Sequence, residues 1–409
     1  MKILWVKSGG LVPLDHGGRI RSYQLARELA RKHEVSLFTF YAEDPNDAHK
    51  ELESVFARVI GIPLHIAPAQ SAADLWAYAR NLFSLRPYSQ AKYCQPQVAA
   101  RLREHLRKEK YDLILCDFLL TAAVIPWDVP CPKVLFTHNI EARIWERQVK
   151  VARNPIWKAV CYREYLCLSR MERHYIQRAD CVLAVSETDR DFFAGFADPA
   201  KIHVIPTGVD VEYFHPVPNS EEPNTLVFTG SMDWLPNEDG IFWFVEQVLP
   251  RIRQQVPDVS LWVVGRRASA KLQELGKREP GVHVTGTVDD IRPYVARGSV
   301  CVVPLLVGGG TRIKIFEAMA MGKAVVSTTI GAEGLPVTSG ENILLADQPA
   351  EFAQHITRLL RDRAERSTLG SAARQLVESK YSWRSVASVL GEVLSHTVKE
   401  LAGTSSATC

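Results

Sequence analysis

Short β-branched runs alternate with longer amphipathic segments along the whole chain, the pattern expected of parallel sheets covered on both faces by helices. The fold class that follows is α/β. In the first half, the runs at 2–7, 34–40, 112–116, 133–136, 181–185 and 202–205 predict strands. In the second half, 225–229, 260–264, 282–285, 300–304, 324–327 and 342–345 do the same. From about Gly18 to Arg31, the residues Ile20, Tyr23, Ala26 and Ala30 recur on one side of a helix. Between the halves, Pro206 to Pro223 holds four prolines and few apolar pairs, which marks a link. The expected organisation is one α/β domain over 1–205, a link over 206–223, a second domain over 224–381, and a C-terminal helix with a polar tail over 382–409. That last segment is expected to cross back to the first domain.

Composition agrees with two domains: 409 residues at 46% hydrophobic and 23% charged can build two sizeable cores. A formal charge of +3, with the basic residues dispersed, argues against a nucleic-acid partner. Eight cysteines include no Cys-x-x-Cys pair, and several lie in apolar runs, so they read as reduced core thiols of a cytoplasmic protein. The chain opens directly on a strand, Lys2 to Lys7, without the apolar region of a signal peptide, and no uncharged run is long enough to span a bilayer.

The candidate chemistry concentrates at Gly308-Gly309-Gly310-Thr311-Arg312 and the apolar helix that follows through Lys314 and Glu317. A glycine turn lets backbone N–H groups approach an anion, and the first turn of a helix adds unpaired donors and partial positive charge. Thr311 can cap that turn, Arg312 and Lys314 can neutralise phosphate oxygens, and Glu317 can accept hydrogen bonds from the vicinal hydroxyls of a ribose. The pattern fits a phosphorylated ligand with a hydroxylated ring. No Gly-x-Gly-x-x-Gly follows a strand, which removes the main support for a dinucleotide oxidoreductase. Each half does carry glycines after a strand, Gly17-Gly18 and Gly308 to Gly310, and ligands of open α/β sheets bind beyond the carboxyl ends of strands. Two such sheets facing across a cleft would suit group transfer.

These residues bring a family into view. Pro206-Thr207-Gly208-Val209-Asp210 followed by Phe214 and Pro216, the run Phe316-Glu317-Ala318-Met319-Ala320-x-Gly322, Gly286-x-Val288-x-Asp290-Ile291, and Gly331-x-x-Gly334 together resemble the GT-B glycosyltransferases of family 4. The resemblance spans nearly the whole chain. It implies two Rossmann-like domains, a nucleotide-diphosphate sugar held mainly by the second, a saccharide or lipid-linked acceptor held mainly by the first, and retention of anomeric configuration. No metal or other cofactor is implied, because the leaving diphosphate would be stabilised by cations and backbone N–H groups. His138, after the strand ending at Thr137, resembles the first-domain histidine that faces the donor sugar and is assigned an orienting or charge-stabilising role. Arg312 and Lys314 take the leaving-group role, while Gly230, Arg266 and Val288 join Glu317 and Gly308 to Thr311 in the donor-binding set. Gly17 and Gly18 form the loop of the first domain.

The chain departs from the family pattern at two places. Gly309 stands where the first glutamate of the family's E-x7-E pair is expected, which leaves sugar choice open. The run Gly230 to Asn237 lacks the arginine and lysine that many relatives place there, so Arg312, Lys314 and Arg266 or Arg267 are the expected substitutes. Arg19 and Arg21 either add positive charge near the glycine pair or are solvated helix residues. Asp189-Arg190-Asp191 spells a metal-binding carboxylate pair but lies at a helix start, where capping and dipole effects explain it. Trp76 to Tyr88 mixes aromatics with arginines, as a peripheral membrane contact would, although buried packing explains the aromatics equally well. A glycosyltransferase of polysaccharide or glycoconjugate assembly is the leading reading. Its rivals are a nucleotide-sugar epimerase of the same fold and a non-catalytic nucleotide-sugar binder.

Overall fold

In the computed structural model, which describes residues 1–14, 17–41, 47–68, 71–152, 154–307 and 313–406, the chain forms two compact units. The first comprises Met1–Pro206 with Val386–Cys409, and the second Thr207–Ser385.

The first unit is built on seven strands: β1 (Lys2–Ser8), β2 (Glu34–Tyr41), β3 (Arg58–Pro63), β4 (Leu113–Asp117), β5 (Lys133–Phe136), β6 (Cys181–Ala184) and β7 (Ile202–Val204). Every pairing is parallel, in the order β3-β2-β1-β4-β5-β6-β7. Parallel strands covered on both faces become continuous apolar runs, and here Leu4, Trp5, Val6, Leu113, Ile114 and Leu115 are all fully buried. Each such Leu or Ile contributes about 1.5–3 kcal/mol by leaving water. The reversal of strand order places β1, β4 and β5 side by side, with their carboxyl ends at Ser8, Asp117 and Phe136.

The second unit has β8 (Thr225–Thr229), β9 (Ser260–Val264), β10 (Val282–Gly286), β11 (Val300–Val303), β12 (Ala324–Ser327) and β13 (Leu344–Leu345), again parallel, in the order β10-β9-β8-β11-β12-β13. Its core joins Phe228, Phe244, Phe316 and Phe352. The stretch expected as a link packs on this unit: Val209 bridges Ser382, and Val209 and Phe214 are buried. The helix Trp383–Ser406 begins in the second unit and belongs to the first from Val386 onward, with Leu390 and Leu394 fully buried. It runs through Gly403, where the sequence suggested a polar tail; residues 407–409 lie outside the described residues.

The sequence pattern misses β3. That strand is at the sheet edge, carries Gly61 and Pro63, and buries none of its side chains fully, so it lacks the apolar run that marks the others. No helix among the described residues is long and apolar enough to cross a membrane.

Candidate functional site

In the first unit, His138 follows β5 and lies 4% exposed against the end of β4. Its Nε2 is 2.6 Å from Asp117 Oδ1, a buried carboxylate whose Oδ2 accepts a hydrogen bond from Trp5 Nε1 at 2.8 Å and an ion pair from Lys7 Nζ at 3.5 Å. The adjacency of β1, β4 and β5 therefore assembles Lys7, Asp117 and His138 at one sheet edge. Burial pushes the Asp117 carboxyl up, but the Lys7 and His138 charges and the His138 hydrogen bond outweigh it and hold the carboxyl below its ordinary range. Burial lowers Lys7 despite the opposing carboxylate. Burial also lowers His138 to about 4, with Asp117 opposing and Arg21 and Lys7 adding to the fall. The imidazole is thus neutral near pH 7.

Phe118 covers this cluster. Its ring stacks on His138 at 3.8 Å between centroids and 9° between planes, and Lys7 Nζ lies 4.1 Å from its centroid. The backbone there has φ 72° and ψ 144°, a region nearly reserved for glycine and costing about 1–3 kcal/mol in a residue with a side chain. Gly18, on the helix Gly17–Ala30, is shaped by the same ring: a Cβ at Gly18 would sit 2.7 Å from Phe118 Cζ. Clearance for Phe118 is therefore what residue 18 provides, while Gly17 is exposed at the helix start. Arg21 is 3% exposed, which overturns its reading as a solvated helix residue; burial lowers it to about 10, against the pull of Asp189 and Asp117. Arg19 Nη2 donates to the Gly9 carbonyl at 3.1 Å.

In the second unit, Lys314 and Glu317 lie on the short helix Ile313–Ala320, whose remaining inward residues, Ile315, Phe316, Ala318 and Met319, fix it in the core. Lys314 Nζ is 2.8 Å from Asn237 Oδ1 and 4.1 Å from the Phe228 ring centroid. Asn237 Nδ2 in turn donates to the Ser231 carbonyl at 2.7 Å, so the lysine is aimed at the loop after β8. Gly230 leaves room for it: a Cβ there would lie 2.6 Å from Lys314 Nζ. Arg266 reaches the same loop through Nε to Ser231 Oγ at 3.0 Å, whereas Arg267 turns to Asp233 at 2.7 Å. Burial raises the half-buried Glu317 to about 7, with Lys314 pulling it down. Val288 is half-buried and packs against the core. Gly308, Gly309, Gly310, Thr311 and Arg312 lie outside the described residues.

The structure thus groups Gly230, Arg266 and Lys314 in one neighbourhood of the second unit, with Glu317 one turn along the helix. Sequence reasoning misses Lys7, Asp117 and Phe118 in the first cluster and Asn237 in the second. Asn237 lies within a run noted only for missing cations, and in the sequence Asp117 merely interrupts an apolar run. A usable signal does exist for one of them: Asp117 is a charged residue closing the otherwise apolar strand β4.

At the start of the helix Glu187–Ala194, Ser186 Oγ accepts from the Asp189 N–H at 3.2 Å, and Arg190 pairs with Asp191 at 2.9 Å. Within Trp76 to Tyr88 the outcome is divided: Tyr78 and Tyr88 are half-buried and pack edge-on at 5.0 Å, whereas Trp76 is 63% and Phe83 96% exposed, so packing explains the two tyrosines but not Trp76 and Phe83.

Comparison with known proteins agrees with this architecture. Residues 16–213 match the profile described as Glycosyltransferase Family 4, and residues 223–362 match that described as Glycosyl transferases group 1. An uncharacterised protein of the cps region of Klebsiella pneumoniae is 24% identical over 94% of this chain and 97% of its own length. A GDP-mannose-dependent alpha-(1-6)-phosphatidylinositol monomannoside mannosyltransferase of Mycobacterium tuberculosis is 27% identical over 53% of this chain and 61% of that one, less than two thirds of its length. The crystal structure of Anabaena HepE in complex with UDP superimposes with a TM-score of 0.69 at 17% identity, covering 97% of this chain and all of that one. With both halves matched and both sheets parallel, the chain belongs to the GT-B glycosyltransferases of family 4, the glycosyl transferases group 1.

Proposed function

We propose that the protein transfers a sugar from a nucleotide-diphosphate donor to a hydroxyl acceptor, with retention of configuration and without a divalent cation, in polysaccharide or glycoconjugate assembly. The observation that carries this reading is the pairing of Lys314, directed at the Gly230 loop, with Glu317 one turn further along the same helix. A fixed ammonium beside a glycine loop suits the oxygens of a departing diphosphate, and a half-buried carboxyl suits paired ribose hydroxyls. Arg266 adds a second cation near that loop, and Gly308 to Arg312 would complete the cradle. His138 takes the sugar-orienting role at the reacting end.

The GDP-mannose dependence of the mannosyltransferase and the complex of HepE with UDP support a donor of this class. Base and sugar are tested by thermal shift over UDP-, GDP- and ADP-sugars, followed by hydrolysis with the best stabiliser. Stabilisation by at least one donor and slow release of its sugar are expected. Stabilisation without turnover for every acceptor would favour the non-catalytic binder, and isotope exchange into the sugar ring without transfer would favour the epimerase.

A peripheral contact with an anionic bilayer, suited to a lipid-linked acceptor, is supported by one face of the first unit. Leu75, Trp76, Phe83 and Leu85 are exposed, as are Ile156 and Trp157 on the helix Pro155–Arg178. Arg163 ties the two segments by donating to the Ser84 and Arg86 carbonyls at 2.8 and 3.2 Å. Residues 72–92 and 141–166 hold nine Lys and Arg against four Asp and Glu, so this region alone exceeds the net charge of the whole chain.

A further inference from the structure

The imidazole of His138 is held on one side only. Nε2 faces Asp117 Oδ1 at 2.6 Å, and Nδ1 is buried with no hydrogen-bond partner. A carboxylate that is ionised can only accept, so the proton of a neutral ring must sit on Nε2. Nδ1 is then a bare acceptor. Asp117 is itself fixed by Trp5 Nε1 and Lys7 Nζ, and cannot rotate away without losing both. The ring plane is fixed independently by Phe118, stacked at 3.8 Å, and by Phe136 at 4.5 Å. Phe118 does this from a backbone conformation with φ 72°, and Gly18 leaves the space its ring needs. Strain, an orphaned buried nitrogen and a charge pair meeting at one side chain are costly together, and packing alone accounts for none of them.

We propose that Asp117 and Phe118 are positioning residues that lock His138 in the Nε2–H tautomer, so that Nδ1 accepts a hydrogen bond from a hydroxyl of the bound substrate. The proposal rests on the sugar-orienting role assigned to His138 above and specifies its direction: the histidine accepts at Nδ1 and neither donates there nor carries charge. The groups that face the ring are Lys7 from β1, Asp117 from β4 and Arg21 from the helix Gly17–Ala30, and the two cations disfavour a second proton.

The test uses the full chain labelled with 15N histidine, with His138 assigned by a His138→Gln variant. In the wild type, Nε2 is expected at the shift of a protonated nitrogen and Nδ1 at that of a bare one, unchanged between about pH 5 and 8. Asp117→Asn replaces the acceptor with an amide that can donate to Nε2, moving the proton to Nδ1. Turnover should then fall about 10²-fold with the KM for the donor changed less than about twofold. Phe118→Leu should keep the tautomer and lower turnover less. A wild-type Nδ1 that carries the proton overturns the proposal, and so does Asp117→Asn with a switched tautomer and unaltered turnover. Should Asp117→Asn not fold, the wild-type spectrum and Phe118→Leu decide. Should the wild type turn over no nucleotide sugar, the functional reading fails separately, because the tautomer is read without substrate.

Discussion

The two half-sites solve opposite electrostatic problems. At the carboxyl end of the first sheet, Lys7 and Asp117 are 2% and 0% exposed and pair with one another, so their charges are spent inside the protein rather than offered to a ligand. It offers geometry: one ring, held in one plane. In the second unit the charges are only partly withdrawn from water. Lys314 donates to the Asn237 amide oxygen, and Glu317 is raised toward 7 with Lys314 opposing. Such groups gain most when an anion and hydroxyls arrive. Buried, mutually paired groups position, whereas half-buried groups bind.

The largest effect should come from Lys314→Ala. Removing the ammonium that reaches the Gly230 loop from the helix Ile313–Ala320 is expected to lower kcat/KM by about 10²–10³-fold, read by steady-state kinetics with saturating acceptor. A fall of less than about threefold would place the leaving-group role elsewhere. Lys314→Arg should not restore activity fully, because the space that Gly230 and Asn237 leave fits an ammonium.

Next in size is the pH response of donor binding. An ionised Glu317 accepts two hydroxyl hydrogen bonds and a protonated one does not, so affinity for a nucleotide sugar should rise as pH climbs through about 7 and then level. A nucleotide sugar is the right probe because its diphosphate diester does not titrate there. Glu317→Gln should weaken binding about tenfold and flatten the profile. A wild-type profile as flat as that of the variant would show that this carboxyl does not meet the ligand.

The comparison also shows what was legible in the sequence. Lys314 and Glu317 stood out because they interrupt an apolar helix of eight residues, a signal contained within one element. The first-unit cluster was mostly hidden. Lys7 and Asp117 are 110 residues apart in the chain and meet only because β4 inserts beside β1, an order no local pattern encodes. Phe118 is invisible for a related reason: it stacks on a histidine 20 residues later, and nothing in the neighbouring sequence announces its positive φ. The sheets themselves are readable because parallel strands buried on both faces must be apolar throughout, and the one strand missed, β3, is an edge strand with no fully buried residue, exempt from that demand.

A smaller effect tests whether burial in the first unit is as complete as it looks. Glu172 Oε1 accepts the Glu141 N–H at 2.9 Å, and burial lifts the Glu172 carboxyl to about 8 although the Glu141 and Ala142 N–H groups pull it down. A carboxyl raised on folding binds its proton more tightly in the native state. Its contribution is complete below the ordinary carboxyl range and is lost as pH rises through about 8. The thermal midpoint should therefore fall between about pH 5 and 8, and Glu172→Gln should flatten that slope. An unchanged slope in the variant would assign the pH dependence to other groups.

The smallest effect is expected at the exposed face. Phe83→Asp should reduce sedimentation with anionic vesicles several-fold and leave hydrolysis of a soluble donor unchanged, since Phe83 is 96% exposed. Equal sedimentation of variant and wild type, or none by either, would remove the bilayer from the account.

Calorimetric titration of the best nucleotide sugar into the protein in EDTA, alongside Lys314→Ala and Glu317→Gln, tests the central claim most directly. Saturable binding without a divalent cation, weakened by either substitution, is the predicted result; binding that needs added metal, or that ignores both substitutions, would contradict it.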